Sequence, residues 1–454
     1  MALERKFVLA TSMAFALTQL DNSVVNVSLV ALGQEFSSPL SKTQWIITAY
    51  ALAFSTLLLL AGTISDRFGH EQTFRAGMIA FAAASMGCAL SYSANTLIFF
   101  RTVQGVSAAF LIPSALALIN SYGADSPEAR TKAIGWWMAA GGVALTVGPL
   151  IGAAFAQAGL WRGVFLINIP LALFAVITIR KYGNDTVDEK KDRSGAHDYW
   201  NHVIAIAGLL GWAITFILLT AREYRLALAC GLGSIVVTLF LVHIERKSPK
   251  PVFLRIRDWS FRCRRILLLG LSINACIYSL LLGVSLFGQI GLGLSPIETG
   301  LLLVPYAVFV SISNVVGGRV AAKFGGPFSI ALGLGIACVG YAFLCGTLPS
   351  APYVSLLFGS IVVSLGIGVV VTAMTASYMA DLPSQDSGSG AAMLNAARQL
   401  GSAVGVAIVS MLWTNGGATG IQIMTGISAV LCAIFCFLFA RELPPAEKTA
   451  GWVE

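Results

Sequence analysis

The sequence predicts an all-α, polytopic membrane protein, and three observations carry that prediction. The chain is 57% hydrophobic and only 11% charged, with a mean hydropathy of +0.80. Soluble domains run near 25% charged, so the main solvent here is lipid. Fourteen apolar segments can be marked, near 7–30, 44–64, 74–93, 96–119, 133–158, 164–180, 201–220, 226–244, 265–289, 298–320, 327–346, 352–378, 388–413 and 420–440. A spanning helix needs roughly 20 such residues. The basic residues are also one-sided. With the N-terminus inside, only Lys42, Arg162, Arg222 and Arg225 of the 29 Lys and Arg fall in outer loops, and Arg101 lies within a span. That bias places both termini in the cytoplasm. Backbone groups in hydrocarbon must be satisfied within the segment, and strand-length alternating segments are absent, so the spans are helices.

The opening "MALERKF" followed by an apolar run has the outline of a signal peptide. The run is too long for that, contains Asp21 and lacks a small-residue cleavage site, so it reads as an uncleaved first span. Within "LTQLDNSVVNVSL" (17–29), Thr18, Asp21, Asn22, Asn26 and Ser28 fall on one broad side at 100° per residue. Lipid would reject that side, so it should line a central cavity. A carboxylate near mid-membrane costs roughly 2.5–3.5 kcal/mol on insertion scales, which makes Asp21 a functional candidate.

"AGTISDRFGHEQTFRAG" (61–77) joins spans 2 and 3 on the inner side. Gly62 allows close helix approach, Gly69 a tight turn, and Asp66 can cap the following helix. A charged connecting loop is the plainer reading. "RTVQGVSAA" (101–109) opens span 4 with Arg101 a few residues below the outer end. Asp21 and Arg101 differ in depth by roughly 6 Å at about 1.5 Å rise per residue, within reach of an arginine side chain. Arg101 therefore either pairs with Asp21 or snorkels to the outer headgroups. "GGVALTVGPLIGA" (141–153) sets Ala144, Gly148 and Gly152 four apart beside Pro149, a small-residue face with a bend; most such faces only pack helices.

"KYGNDTVDEKKDRSGAHDYW" (181–200) is the longest polar stretch and precedes spans 7 and 8. "DRFG" (66–69) and "AKFG" (322–325) are 256 residues apart, and the same shift carries span 4 onto span 12. Two six-helix bundles, residues 1–182 and 263–442, account for this, with linkers and two inserted helices in 183–262 and a tail in 443–454. Repeats of this kind suit secondary transporters, whose substrate site lies between the halves. Polar cavity candidates are Asn22, Asn26 and Gln104 in the first half and Asn274, Tyr278, Asn314, Asn395 and Arg398 in the second. Trp136, Trp137 and Tyr306 either line an aromatic pocket or serve packing and the interface belts. The eight cysteines and four histidines show no metal-ligand or disulfide spacing, so no metal and no cofactor are expected. The formal charge of +8 sits in short loops and does not point to nucleic acid.

"GTISDRFG", "RTVQG" and "ALTVGPLIGA" resemble the loop 2–3, span 4 and span 5 motifs of the major facilitator superfamily. "LDNSVVNVSL", "WRGVFLINIP" (161–170), "SPIETGLLLVP" (295–305) and "LNAARQLGSAVGVA" (394–407) resemble signatures of its fourteen-span drug:proton antiporter family. The resemblance implies a proton-gradient-driven exporter of the bacterial inner membrane that works by alternating access. It makes Asp21 the proton site and Arg101 its coupling partner. Gly148, Pro149 and Gly152, with Ala144 on the same face, become the antiporter hinge. Gly62, Asp66, Arg67, Gly69 and Arg75 become the cytoplasmic gate. The chain departs from the family at His70 and Glu71, where a basic pair is usual and Arg75 would compensate, and at Val30, where a proline is usual. The short outer loop "TNGGATG" favours a pump without a periplasmic adaptor.

The expected function is therefore proton-coupled export of lipophilic drugs or toxic organic compounds. Its partners are the bilayer, protons and a small-molecule substrate, and the working unit is a monomer. A dedicated exporter of one metabolite or self-made antibiotic is the rival, and a non-transporting receptor a more distant one. No nucleophile–base pair or acid cluster supports an enzyme. Asp21 is the sole acid clearly inside a span, so coupling and any recognition of positive charge would both fall on it.

Overall fold

The computed structural model describes residues 2–122, 127–182, 224–247, 260–382 and 387–442, with isolated positions between 204 and 215. The regular elements among these residues are helical throughout. The first group comprises α1 (Ala2–Glu35), α2 (Leu40–Thr43), α3 (Trp45–Phe68), α4 (His70–Ala89), α5 (Ala94–Tyr122), α6 (Pro127–Gln157), α7 (Gly163–Leu166) and α8 (Asn168–Tyr182). After α9 (Tyr224–Lys247) come α10 (Phe261–Leu286), α11 (Pro296–Phe324), α12 (Gly326–Thr347), α13 (Pro352–Asp381), α14 (Ser387–Gly416) and α15 (Ala418–Ala440).

Each described helix except the four-residue α2 lies where an apolar segment predicts one, usually with a longer body. At about 1.5 Å per residue, the 34 residues of α1 outrun a hydrocarbon core of roughly 30 Å, so its ends continue into the headgroups. Ten helical stretches among the described residues are long and apolar enough to cross a bilayer. Helices α3 and α4, of 24 and 20 residues, have spanning length as well. Most of the expected span 201–220, the polar stretch 183–200 and the tail 443–454 lie outside the described residues.

In the first group α1 packs on α6 and α8, α3 on α5, and α4 on α5 and α8. In the second, α10 packs on α14, α11 on α13, and α12 on α13 and α15. The groups meet where α3 lies against α14 and α6 against α11. Helix α9 lies against the described residues before it, with Gly211 facing Ser234 and Gly231 facing Thr215. Large apolar side chains such as Ile177, Val236, Val339, Val354 and Val430 cover the outside, as a lipid-facing surface requires.

The two loops that match in sequence also match in backbone. Gly69 ends α3 at φ 96° and Gly325 ends α11 at φ 83°, a region that suits only glycine. The N-cap of α4 is Gly69 itself, with no side-chain cap. Asp66, read from the sequence as a cap, thus does not hold the N-cap position, because the helix starts one residue after the glycine.

Candidate functional site: a buried ion pair beside a helix-pair interface

Arg101 on α5 reaches Asp21 on α1, and both side chains are fully buried. The guanidinium Nη1 donates to Asp21 Oδ2 and, at 2.7 Å, to Gln104 Oε1, while Nε donates to the Ile46 carbonyl at 2.9 Å. Asp21 Oδ1 accepts from Gln104 Nε2 at 2.9 Å and from Asn168 Nδ2 at 3.0 Å. Ser85 Oγ accepts from the same two amides, at 2.8 Å from Gln104 and 3.4 Å from Asn168. The Tyr50 ring lies under the guanidinium, 4.3 Å from its carbon. Residues of α1, α3, α4, α5 and α8 thus converge on one carboxylate. A buried charge pair is costly unless its remaining lone pairs and protons are engaged. Here both carboxylate oxygens and the Nε and Nη1 donors of Arg101 are, while Nη2 is buried without a hydrogen-bond partner among the described residues.

The sequence placed Arg101 between pairing and snorkelling, and the structure shows pairing. Gln104, assigned to the substrate cavity, belongs instead to this network: it is one turn along α5 from Arg101, so both side chains reach the same carboxylate. Asn168, Ser85 and Tyr50 were missed. For Asn168 a signal existed, an amide near the start of an otherwise apolar span.

One residue on, Asn22 leaves the network and crosses to the second group, donating from Nδ2 to the Tyr278 hydroxyl at 2.8 Å. Asn26 turns back onto its own helix at the Asn22 carbonyl (2.8 Å), and its Oδ1, like that of Asn22, is buried without a partner among the described residues. Asn26 and Tyr306 line a small cavity between the groups with Ser23, Leu145, Pro149, Leu281, Leu303 and Ala307; a water-sized sphere has about 10 Å³ of room there. That is space for about one water, not a drug. Further toward the end away from the termini, Gln289 Nε2 donates to the Val27 carbonyl at 3.0 Å. Thr146 and Ser311 approach within 3.2 Å across the same seam.

On the second side, Asn274 donates to the Arg398 carbonyl at 2.9 Å and accepts from Arg398 Nε at 3.5 Å. Asn314 accepts from Thr372 with its carbonyl (3.1 Å) and its side-chain oxygen (3.2 Å), tying α11 to α13. Asn395 is half-buried. The three aromatic candidates do not converge. Trp137 stacks on Phe15 with ring centroids 4.2 Å apart, Trp136 is exposed, and Tyr306 lies in the seam. Packing explains Trp137, while Trp136 faces outward.

The glycines of α6 let it press onto α1. A Cβ at Gly148 would lie 1.8 Å from Ser23 Oγ, and one at Gly152 would lie 2.4 Å from the Val24 carbonyl oxygen. Ala144 is buried in the same face. Pro149 and Ala153 take Gly300 of α11 on the opposite side, so α6 is squeezed between the two groups. The second group repeats the device: Gly401 and Gly405 of α14 press on the carbonyls of Leu271 and Ala275, where a Cβ would come to 2.0 Å and 2.2 Å. The sequence reading missed this pair, although its four-residue spacing is that of Gly148 and Gly152.

At the other end, Gly62 has open space beside it, and Ser65 hydrogen-bonds His70 Nδ1 at 2.9 Å. Arg75 pairs with Glu71 at 3.3 Å, so its charge is spent on its own helix. The side chains of Asp66 and Arg67 lie outside the described residues.

Comparison with known proteins agrees with this architecture. The family model described as Major Facilitator Superfamily matches residues 11–406. The chain is 28% identical over 452 residues to the Methylenomycin A resistance protein of Bacillus subtilis, covering 95% of this chain and 93% of that one. It is 31% identical to the Puromycin resistance protein pur8 of Streptomyces alboniger, covering 89% of this chain and 80% of that one. Among solved structures, a POT family transporter in complex with 5-aminolevulinic acid superposes with a TM-score of 0.72 at 11% identity, covering 97% of this chain and 96% of that one. At that identity the likeness is one of fold.

Proposed function

The chain belongs to the Major Facilitator Superfamily, and we propose that it exports antibiotic-like or otherwise toxic organic compounds across a bacterial inner membrane in exchange for protons. Relatives named for resistance to methylenomycin A and puromycin support the exporter reading. The observation that supports proton coupling is the Asp21 network. A carboxylate held by one arginine and two amides can stay ionised in the dry interior, and arrival of a proton cancels the charge that holds Arg101 in place. Protonation thereby frees a guanidinium and loosens α1 from α5, a local event able to bias a two-state helix arrangement.

Asn22 follows Asp21 and bonds to Tyr278, so loosening α1 acts directly on the seam between the groups. In the orientation expected from the basic residues, both termini are cytoplasmic, the seam contact of Val27 with Gln289 lies toward the outside, and that of Thr146 with Ser311 lies near the middle of α6 and α11. The structure would then be a state shut to the outside. We read the groups as two six-helix bundles with two inserted helices, fourteen spans in all, working as a monomer with no cofactor beyond the proton gradient. Gly148, Pro149 and Gly152 would be the hinge about which α6 moves, and the α3–α4 loop the inner gate.

The test is transport in proteoliposomes under an imposed pH gradient, comparing wild type with Asp21→Asn. Proton-driven export should fall by about a hundredfold or more, as expected for a lost proton-transfer group. Undiminished proton-driven export by the Asn variant would overturn the assignment of Asp21.

A further inference from the structure

Resting on the exporter reading, the geometry points to a substrate class: a lipophilic monoanion, with a carboxylate or phenolate, held by Arg398 at the seam between the two groups.

Asp21 was expected to meet any positive charge on the substrate. Its side chain is fully buried, and both oxygens are engaged, Oδ2 by Arg101 and Oδ1 by Gln104 and Asn168. No oxygen is left to face a bound cation. The charge that does remain open is of the other sign. Arg398 lies in α14 five residues into Met393–Gly416, the stretch long and apolar enough to cross a bilayer, about 7 Å along the helix from its inner end. Its one side-chain hydrogen bond among the described residues is from Nε to Asn274, at 3.5 Å. Its terminal nitrogens have no carboxylate within ion-pair distance among the described residues, and the side chain is half-buried.

The surroundings fit an organic anion. Asn274, to which Arg398 is hydrogen-bonded, lies one turn before Tyr278 on α10. Tyr278 accepts from Asn22, whose own Oδ1 is buried without a partner and offers an acceptor for a hydroxyl or amide on the ligand. Leu281, Leu303 and Tyr306 add apolar wall one or two turns on. A guanidinium presents a planar fork that matches a carboxylate, and its positive charge disfavours cations. Keeping an uncompensated arginine at that depth is expensive unless a ligand or water pairs with it.

The test uses three probes on one fluorophore: dansylglycine (carboxylate), its methyl ester (neutral) and dansylcadaverine (ammonium). Binding to the purified full chain in lipid nanodiscs is followed by dansyl fluorescence. Wild type should bind dansylglycine at least about tenfold more tightly than the ester, the scale of one charge-assisted hydrogen bond, and dansylcadaverine most weakly. Arg398→Gln should bring acid and ester within about twofold of each other without changing ester affinity, and Arg398→Lys should keep part of the preference. Equal binding of acid and ester by wild type, tightest binding of dansylcadaverine, or a preference that survives Arg398→Gln would each overturn the assignment. The wild-type series is decisive even if a variant misfolds. A charge preference with no proton-driven export of any probe would sink the exporter reading and leave the anion site standing.

Discussion

Removing Arg101 leaves the Asp21 carboxylate buried among apolar helices with no counter-ion. Such a break costs about 3–5 kcal/mol, whereas removing both charges together is far milder. Arg101→Leu should therefore lower the melting temperature in detergent sharply, and adding Asp21→Asn should restore much of it. Simple addition of the two losses would mean that the residues are not coupled. Asn168→Leu removes a donor to a charged acceptor and should cost about 1.5–3 kcal/mol in the same assay. Asp21 and Arg101 were legible in the sequence because a charge inside an apolar run has few explanations. Ser85 and Tyr50 were not, because a hydroxyl or phenol in a span is ordinary, and only the meeting of α3 and α4 with α5 gives these two a role. Arg398 was legible as polar, but that it lacks an acid partner among the described residues depends on which helices face it.

At the scale of elements, the glycine faces set how closely α6 lies on α1 and α14 on α10. Gly152→Ala and Gly405→Ala would each drive a methyl group to within 2.4 Å and 2.2 Å of a backbone oxygen, which cannot step aside as a side chain can. Each should destabilise the fold by about 1–3 kcal/mol. Gly142→Ala on the same helix is the control. Nothing lies within 4 Å of the added carbon there, and alanine gains about 0.5–1 kcal/mol in a helix interior, so melting should be unchanged or slightly higher. A loss as large as that of Gly152→Ala would mean that packing distance is not what the glycines supply. The spacing of Gly148 and Gly152 was readable in the sequence. Their partners were not, since a small-residue face does not name the helix that fills it.

For the molecule as a whole, the proposed transport cycle requires the seam between the groups to open and close. Thr146 and Ser311 face each other across it at 3.2 Å. Oxidising a Thr146→Cys/Ser311→Cys pair should arrest transport, reducing agent should restore it, and neither single variant should respond. Full transport by the cross-linked protein would show that this seam stays shut during turnover. Charge transfer is set at the same scale. With one carboxylate as the proton site and a monoanionic substrate, one proton in and one anion out moves two charges across the membrane. The membrane potential then contributes about 4.6 kcal/mol per 100 mV, twice the single-charge value. Export of dansylglycine should rise steeply with an inside-negative potassium diffusion potential, while its neutral methyl ester, moving one charge per cycle, should respond half as strongly on the free-energy scale. Equal responses would rule out this stoichiometry.

The sequence by itself determined the described helices and their order. Those follow from local hydropathy and the fixed rise of a helix, which need no knowledge of neighbours. It also supplied the family likeness and the acid at position 21. Tertiary structure decided what those residues touch. It moved Gln104 from the cavity to the ion pair, added Asn168 and Ser85 to it, paired the second glycine face with α10, and closed Asp21 to any ligand while leaving Arg398 open. The physical reason is that partner choice depends on which helix faces meet. Hydropathy cannot encode that for spans that are apolar almost all the way round.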